Sequence, residues 1–309
     1  MPWRRSKAGR VLRAPQVVVV GDLIYDVLAR FDGPLAFGTD FFAPVHAQPG
    51  GSGANTAAWL ARLGAETAFV ARVGDDPLGR LLAEELARDG VVARLARDKG
   101  VETGKVVALV DGDGERTLIT YRGAGENLSP EDLPEDLFGP GGHLHLSGYL
   151  FSGGARREAA LAALERARAN GMTTSVDPSS TTLLEALGPE EFLGWTTGVD
   201  LAFPNRAEGA VLAGTTEEDQ ILNTLLRHYA NVVLKLGAGG AAYAGAGGER
   251  VRVPASPARV VDTTGAGDAA CAGFLAAWLR GKGPEEALRG GVELAAEVVG
   301  KVGGRPAGR

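Results

Sequence analysis

Apolar runs and the glycines that interrupt them divide the chain into alternating strand and helix segments. "VVVV" at 17–20 followed by "GDLIYD" predicts a buried strand ending in a turn. A helix over 53–62 closed by Gly64 comes next, then a strand over 67–73 and a helix over 78–89 closed by Gly90. From 142 onward "HLHLSG", "TTSVDP" and "VDLAFPN" read as strands, with an amphipathic helix over 155–170 between the first two. A helix over 217–229, a strand over 231–236, a hairpin around 237–253 and helices near 267–280 and 284–300 complete the pattern. Such alternation predicts a mostly parallel central sheet with helices on both faces.

Two segments break this rhythm. "TGKVVALVDGDGERTLITY" at 103–121 is a hairpin, because strand formers flank Asp-Gly pairs suited to a tight reversal. It is expected to pair with 34–48 as a small sheet beside the main body. No Pro- or Ser-rich linker and no solenoid repeat divides the chain, so one α/β domain with a β appendage is expected.

Composition narrows the functional classes. With 45% hydrophobic and 23% charged residues, the 309-residue chain can bury a large core. A net charge of −6 argues against nucleic-acid binding through phosphate contacts. Arg4, Arg5, Lys7, Arg10 and Arg13 make a basic tail over 1–13, expected to be solvated. The single cysteine, Cys271, excludes an intrachain disulfide and a cysteine zinc cluster, and its apolar helix suits a buried, inert thiol. No apolar run is long enough to span a bilayer, which predicts a cytoplasmic protein.

The chemistry concentrates in "DTTGAGDAACAGF" at 262–274, a glycine turn opening an apolar helix with Asp268 at its start. A helix cap, a dinucleotide fingerprint and a phosphoryl-transfer turn each fit parts of this stretch. The fingerprint fails: it belongs to the first strand–helix turn, and a carboxylate beside it repels a pyrophosphate. Phosphoryl transfer accounts for both the free amides, which hold an anion, and the acid, which takes a hydroxyl proton.

Together with "PGGSGANTAAWLARLGAETAFVARVGDDPLG" at 49–79, this stretch resembles the paired signatures of the ribokinase-like (PfkB-type) carbohydrate kinases. The resemblance implies a single α/β kinase domain over 14–303, with a β-sheet lid formed by about 34–48 and 101–123. It implies ATP-dependent transfer of the γ-phosphoryl group to a primary hydroxyl of a monosaccharide or related sugar. Asp268 maps onto the catalytic base, and Gly265, Ala266 and Gly267 onto the anion hole. Asp26, Gly50, Gly51 and Asn55 map onto the substrate hydroxyl site, with Asp22 a second candidate; a helix-start acid is the plain alternative for Asp26. "PNRAE" places Asn205 and Glu208 where the family organises magnesium, largely through water; a capped helix start explains the same residues. Lys235, Gly237 and Gly240 flank the nucleotide by the same mapping, or form a plain hairpin turn, and Asp177 resembles an acid near the phosphates.

Thr264 and Asp262 resemble part of a monovalent-cation site, which leaves potassium open. Arg122, ending the lid hairpin, is a candidate for a phosphate or carboxylate contact or else a solvated arginine. Phe37, Phe41 and Phe42 are expected to cover the small sheet or to stack on a base. His46, His143, His145 and His228 have no metal spacing, and "HLH" fits an alternating strand. An exposed lid edge predicts a homodimer. The alternatives are a nucleoside kinase on the same fold and a non-catalytic sugar- or nucleotide-sensing protein.

Overall fold

The computed structural model describes residues 16–35, 38–112 and 116–306. The basic tail at 1–13, Phe37 and the 113–115 hairpin tip lie outside the described residues. The chain begins β1 (Gln16–Val20), β2 (Ile24–Arg30), β3 (Val45–Gly50), α1 (Ser52–Arg62). It continues β4 (Glu66–Gly74), α2 (Pro77–Arg88), β5 (Val92–Asp98), β6 (Thr103–Val110) and β7 (Arg116–Gly123). The second half runs β8 (His143–Ser147), α3 (Gly154–Ala169), β9 (Thr173–Asp177), α4 (Thr181–Leu187), α5 (Pro189–Thr196), β10 (Leu201–Ala202), α6 (Arg206–Ala213) and α7 (Glu218–Leu225). It closes with β11 (Asn231–Lys235), β12 (Ala241–Gly245), β13 (Arg250–Val253), α8 (Ala266–Trp278) and α9 (Pro284–Val299).

Nine strands form the main sheet in the order β13-β12-β11-β10-β9-β8-β1-β4-β5. All pairings from β11 to β5 are parallel, and β12 and β13 add an antiparallel edge. The four valines of β1 show why it lies inside the sheet. Val18 and Val20 pack into the layer under α3, while Val17 and Val19 pack into the layer shared by α1, α8 and α9. A strand covered on both faces reads as a continuous apolar run rather than an alternating one. His143 and His145 on β8 are buried and share hydrogen bonds with Ser175, so the "HLH" stretch is structural, as its alternation suggested.

A second sheet has four strands in the order β3-β2-β6-β7. The 34–48 and 103–121 segments therefore share a sheet but do not pair with each other. The strand between them is β2, which the sequence had suggested as a turn and a helix start. "IYDVLAR" is half-buried along six of its seven positions, so its apolar pattern is too even to announce a strand. Asp26 is accordingly a strand residue, in register with Gln48 and Val106. Val106, Ala108 and Val110 face inward, while Val45, Val107 and Ile119 are exposed on the outer side. β5 and the short helices α4 and α5 are additions to the elements that the pattern marks.

Asp76 joins this small sheet to the main body. It caps α2 by accepting from the Gly79 amide at 2.7 Å, and it accepts from Thr103 through the main-chain N–H at 2.7 Å and Oγ1 at 2.8 Å. Thr103 is the first residue of β6, so one carboxylate starts a helix and anchors a strand. Asp76→Ala is expected to lower stability by about 3 kcal/mol, from the lost cap and the stranded Thr103 amide. The denaturation midpoint at unchanged slope measures this, and a loss under about 0.5 kcal/mol refutes the anchoring role.

Candidate active site

Asp22, Asp177, Asn205 and Lys235 lie at or just beyond the carboxyl ends of β1, β9, β10 and β11. Helix dipoles and strand ends converge on that edge in open α/β sheets, which makes it the usual place for a ligand. Above it, Gly265 adopts φ 74° at the start of α8. A Cβ on Gly265 would come within 2.3 Å of the Gly304 Cα, so both the conformation and the close approach require glycine there. The helix that follows is buried from Cys271 to Ala276, which gives Asp268 a rigid base.

The Asp268 carboxylate is half-buried and holds two donors from α1. Ser52 Oγ donates to Oδ1 at 2.7 Å and Asn55 Nδ2 to Oδ2 at 2.8 Å. Burial pushes its pKa up to about 6; the two hydrogen bonds oppose the rise, Asp177 adds to it, and Lys235 counteracts it. Asn55, mapped onto the sugar hydroxyls, thus has the Asp268 carboxylate as its partner. Ser52 was not singled out in the sequence, where it stands as a small polar residue among glycines.

Beneath the glycine turn lies a buried charge cluster. Lys235 Nζ is 2.6 Å from Asp177 Oδ2, and a Cβ on Gly267 would stand 3.4 Å from the same Nζ. Burial pulls the Lys235 pKa down, but Asp177, Cys271 and Glu208 together outweigh it, so the net shift is upward and the ammonium stays charged. Cys271 Sγ donates to Asp177 Oδ2 at 3.2 Å, and burial pushes the thiol far up, so it stays protonated and unreactive. Burial, with Asp177 nearby, also pushes Glu208 up to about 7.

Asn205 and Glu208 form a capping box at α6. The Asn205 amide donates to Glu208 Oε2 at 2.8 Å, and the Glu208 amide donates to Asn205 Oδ1 at 2.9 Å. The structural explanation of "PNRAE" is therefore present, at the same edge as Asp177 and Lys235. Gly240 has a packing reason as well, since a Cβ there would meet the Val253 carbonyl at 2.0 Å, whereas Gly237 borders open space.

The other side of Asp268 is lined by the Gly50–Gly51 turn. A Cβ on Gly50 would lie 2.1 Å from Asp26 Oδ2, and one on Gly51, at φ 100°, would lie 2.1 Å from the Asp22 carbonyl. Two glycines are thus the condition for bringing both aspartates to one turn. The C-terminal segment, which the sequence left unassigned, completes this wall. Arg305 donates from Nη2 to the Gly50 carbonyl at 3.1 Å and from Nε to Asn55 Oδ1 at 3.3 Å. Trp59 Nε1 donates to the Gly304 carbonyl at 2.9 Å, and Gly303 N to Asp262 Oδ2 at 3.0 Å. Asp262 Oδ1 accepts from Thr264 N and Oγ1 at 2.9 and 2.6 Å. Phe42 is 95% exposed, and Phe41 packs edge-on against Phe31.

The pattern of the pfkB family carbohydrate kinases matches residues 14–307. The chain belongs to this family. A fructokinase from Klebsiella pneumoniae is 34% identical over 269 residues, covering 84% of this chain and 83% of its own. An ATP-dependent ribose-1-phosphate kinase from Halopiger xanaduensis is 32% identical and covers 94% of each chain. The crystal structure of an adenosine kinase from Sinorhizobium meliloti has the same fold, with a TM-score of 0.86 at 31% identity over 95% of this chain and 96% of that one. This pfkB kinase is a phosphotransferase with a hydroxyl acceptor, on a ribokinase-like α/β fold.

The buried Lys235–Asp177 pair gives a test of the cluster. Lys235→Met is expected to cost about 3–5 kcal/mol because it strands a buried carboxylate, and a further Asp177→Leu exchange is expected to recover most of that loss. Equal stability of single and double variants, by denaturant unfolding, refutes the pairing.

Proposed function

We propose that this pfkB kinase transfers the γ-phosphoryl group of ATP to a primary hydroxyl of a monosaccharide or related sugar, with Asp268 as the base. The observation that carries the reading is the Asp268 carboxylate, raised to about 6, at the mouth of the 265–267 amide turn and bonded to the Gly-rich turn through Ser52 and Asn55. An acid with that value is ionised at neutral pH yet basic enough to take a proton from an attacking alcohol. The amides of Gly265, Ala266 and Gly267, at the N-terminus of α8, hold the negative charge of the phosphoryl oxygens. Lys235, beside Gly267, adds a fixed positive charge on the same side.

Asp26 and the Gly50–Gly51 turn hold the sugar hydroxyls, since carboxylate oxygens accept from paired hydroxyls and bare glycines admit them closely. The small sheet, anchored through Asp76, closes over the acceptor and excludes water. Three buried or half-buried carboxylates, Asp177, Glu208 and Asp268, gather near Lys235, which pairs with Asp177, and this excess of acids suits a divalent ion. Among the described residues no His, Cys, Asp or Glu cluster forms a protein cage for a metal. Asn205 and Glu208 fit magnesium held through water and phosphate oxygens, where it supplies charge neutralisation.

A nucleoside acceptor is the second reading, favoured by the likeness to the adenosine kinase. ADP release measured across neutral sugars, sugar acids and nucleosides separates the two. We infer also that two copies associate through the small sheet, whose outer face exposes Val45, Val107 and Ile119. Light scattering on the purified chain, at monomer mass, refutes that association.

Asp268→Ala is expected to lower turnover about 10²–10⁴-fold with nucleotide affinity retained, and undiminished turnover overturns the assignment. The profile of kcat/KM against pH is expected to fall on the acid side of about 6, where Asp268 takes up its proton. Ser52→Ala removes a donor that favours the anion, so it raises the Asp268 pKa and moves the acid limb to higher pH. A limb that stays in place in that variant contradicts the role given to Ser52.

A further inference from the structure

Arg305 reaches the site from the C-terminal segment, 250 residues beyond Asn55. Its guanidinium forks over the glycine-rich turn, with Nη2 donating to the Gly50 carbonyl at 3.1 Å and Nε to Asn55 Oδ1 at 3.3 Å. The opposite end of the same Asn55 amide, Nδ2, donates to Asp268 Oδ2 at 2.8 Å. Arg122 and Arg156, by contrast, both donate to the Asp22 carboxylate.

An asparagine amide can sit either way round unless its partners distinguish oxygen from nitrogen. Here they do. A carboxylate only accepts and a guanidinium only donates, so a single orientation satisfies both, with Oδ1 toward Arg305 and Nδ2 toward Asp268. Gly304 closes a further side, since a Cβ there would stand 2.8 Å from Asn55 Nδ2. The Gly304 carbonyl accepts from Trp59 Nε1, and the Gly303 amide donates to Asp262. The segment carrying Arg305 is thus tied to α1 and to the start of the anion turn by its main chain.

The place is a poor one for the arginine itself. Burial pushes its pKa down to about 10, against the pull of Asp89, Asp26 and Glu85, which leaves it charged at neutral pH. Its Nη1 is closed off from water and hydrogen-bonds to no described residue, and the two acceptors that it reaches are neutral oxygens. Charges held at such a cost cluster at functional sites.

We propose that Arg305 is a positioning residue, which fixes the orientation of the Asn55 amide and so keeps Nδ2 aimed at the Asp268 carboxylate. Its bearing on catalysis rests on the kinase reading, whereas its effect on the carboxylate does not. A lost Nδ2 donation removes a bond that favours the anion, so the Asp268 pKa rises. The other ionisable groups around Asp268 come from separate places: Asp177 from β9, Lys235 from β11, Glu208 from α6, Tyr149 from the turn after β8 and Cys271 from α8. A change at Arg305 leaves these in place.

The test titrates Asp268 in the full chain through the NMR resonances of Cγ-labelled aspartates, assigned with Asp268→Asn. Arg305→Met is expected to raise the midpoint above the wild-type value of about 6 by about half a pH unit or more. Arg305→Gln carries no charge but places an amide nitrogen at the same reach as Nε, so it is expected to keep the midpoint close to wild type. In an Asn55→Ala background, where the midpoint is already raised, Arg305→Met is expected to add nothing. Arg305→Ser takes the place of Arg305→Met if the apolar side chain prevents folding. An unchanged midpoint in Arg305→Met overturns the role. So does an equal rise in Arg305→Gln, or the same rise with and without Asn55, since either means that the arginine acts through its charge alone. No acceptor enters these titrations. Failure of the kinase reading shows separately, as absent ADP release with every sugar and nucleoside, and leaves the titration result as it stands.

Discussion

The Asp268 carboxylate is half-buried, and the two hydrogen bonds it receives from Ser52 and Asn55 oppose the rise in pKa that burial brings. Burial raises the basicity of the carboxylate and the donors restrain that rise, so the balance of the two sets its charge. The donors stand on α1 and the acid on α8, so the packing of these two helices on one face of the sheet sets the reactivity of the site. Because α1 begins at the turn that carries Gly50 and Gly51, the same contact sets that turn beside Asp268.

Charge balance imposes the next constraint. Asp177 ends one parallel strand and Lys235 another, and their side chains meet under the glycine turn at 2.6 Å. Lys235 thereby neutralises one of the carboxylates gathered there and presents positive charge to Gly267. The small sheet is tied to this centre by charge in the same way, through Asp76 at the base of β6 and through the Asp22 contact to Arg122. The small sheet adds these polar contacts to its buried Val106, Ala108 and Val110, whereas the main sheet is held by apolar layers on both faces.

Much of the architecture was legible in the chain. The β1 valines, the helices ending at Gly64 and Gly90, and the apolar circumference of α8 each declare a local environment through residue type alone. β2 was missed because half-burial along its length gives neither a clear period of two nor a clear period of 3.6. Arg156 and Arg157 are adjacent and identical in type, yet the first is fully buried against Asp22 and the second lies 4.6 Å over the Trp195 ring. Nothing in "GARREAALAALERARA" distinguishes them. Arg305 was equally silent, as a charged residue near a chain end usually belongs to solvent.

Elements and the bare glycine positions could be read from residues within a few places of each other, since backbone conformation and periodic burial answer to near neighbours. The charge state of Asp268, the partner of Asn55 and the pairing of two arginines with one aspartate could not. Those depend on which atoms share a space that water cannot enter, and the groups concerned come from segments separated by 213 residues for Asn55 and Asp268 and by 134 for Asp22 and Arg156. Electrostatic energies are set by distance and exposure, and both are properties of the folded chain.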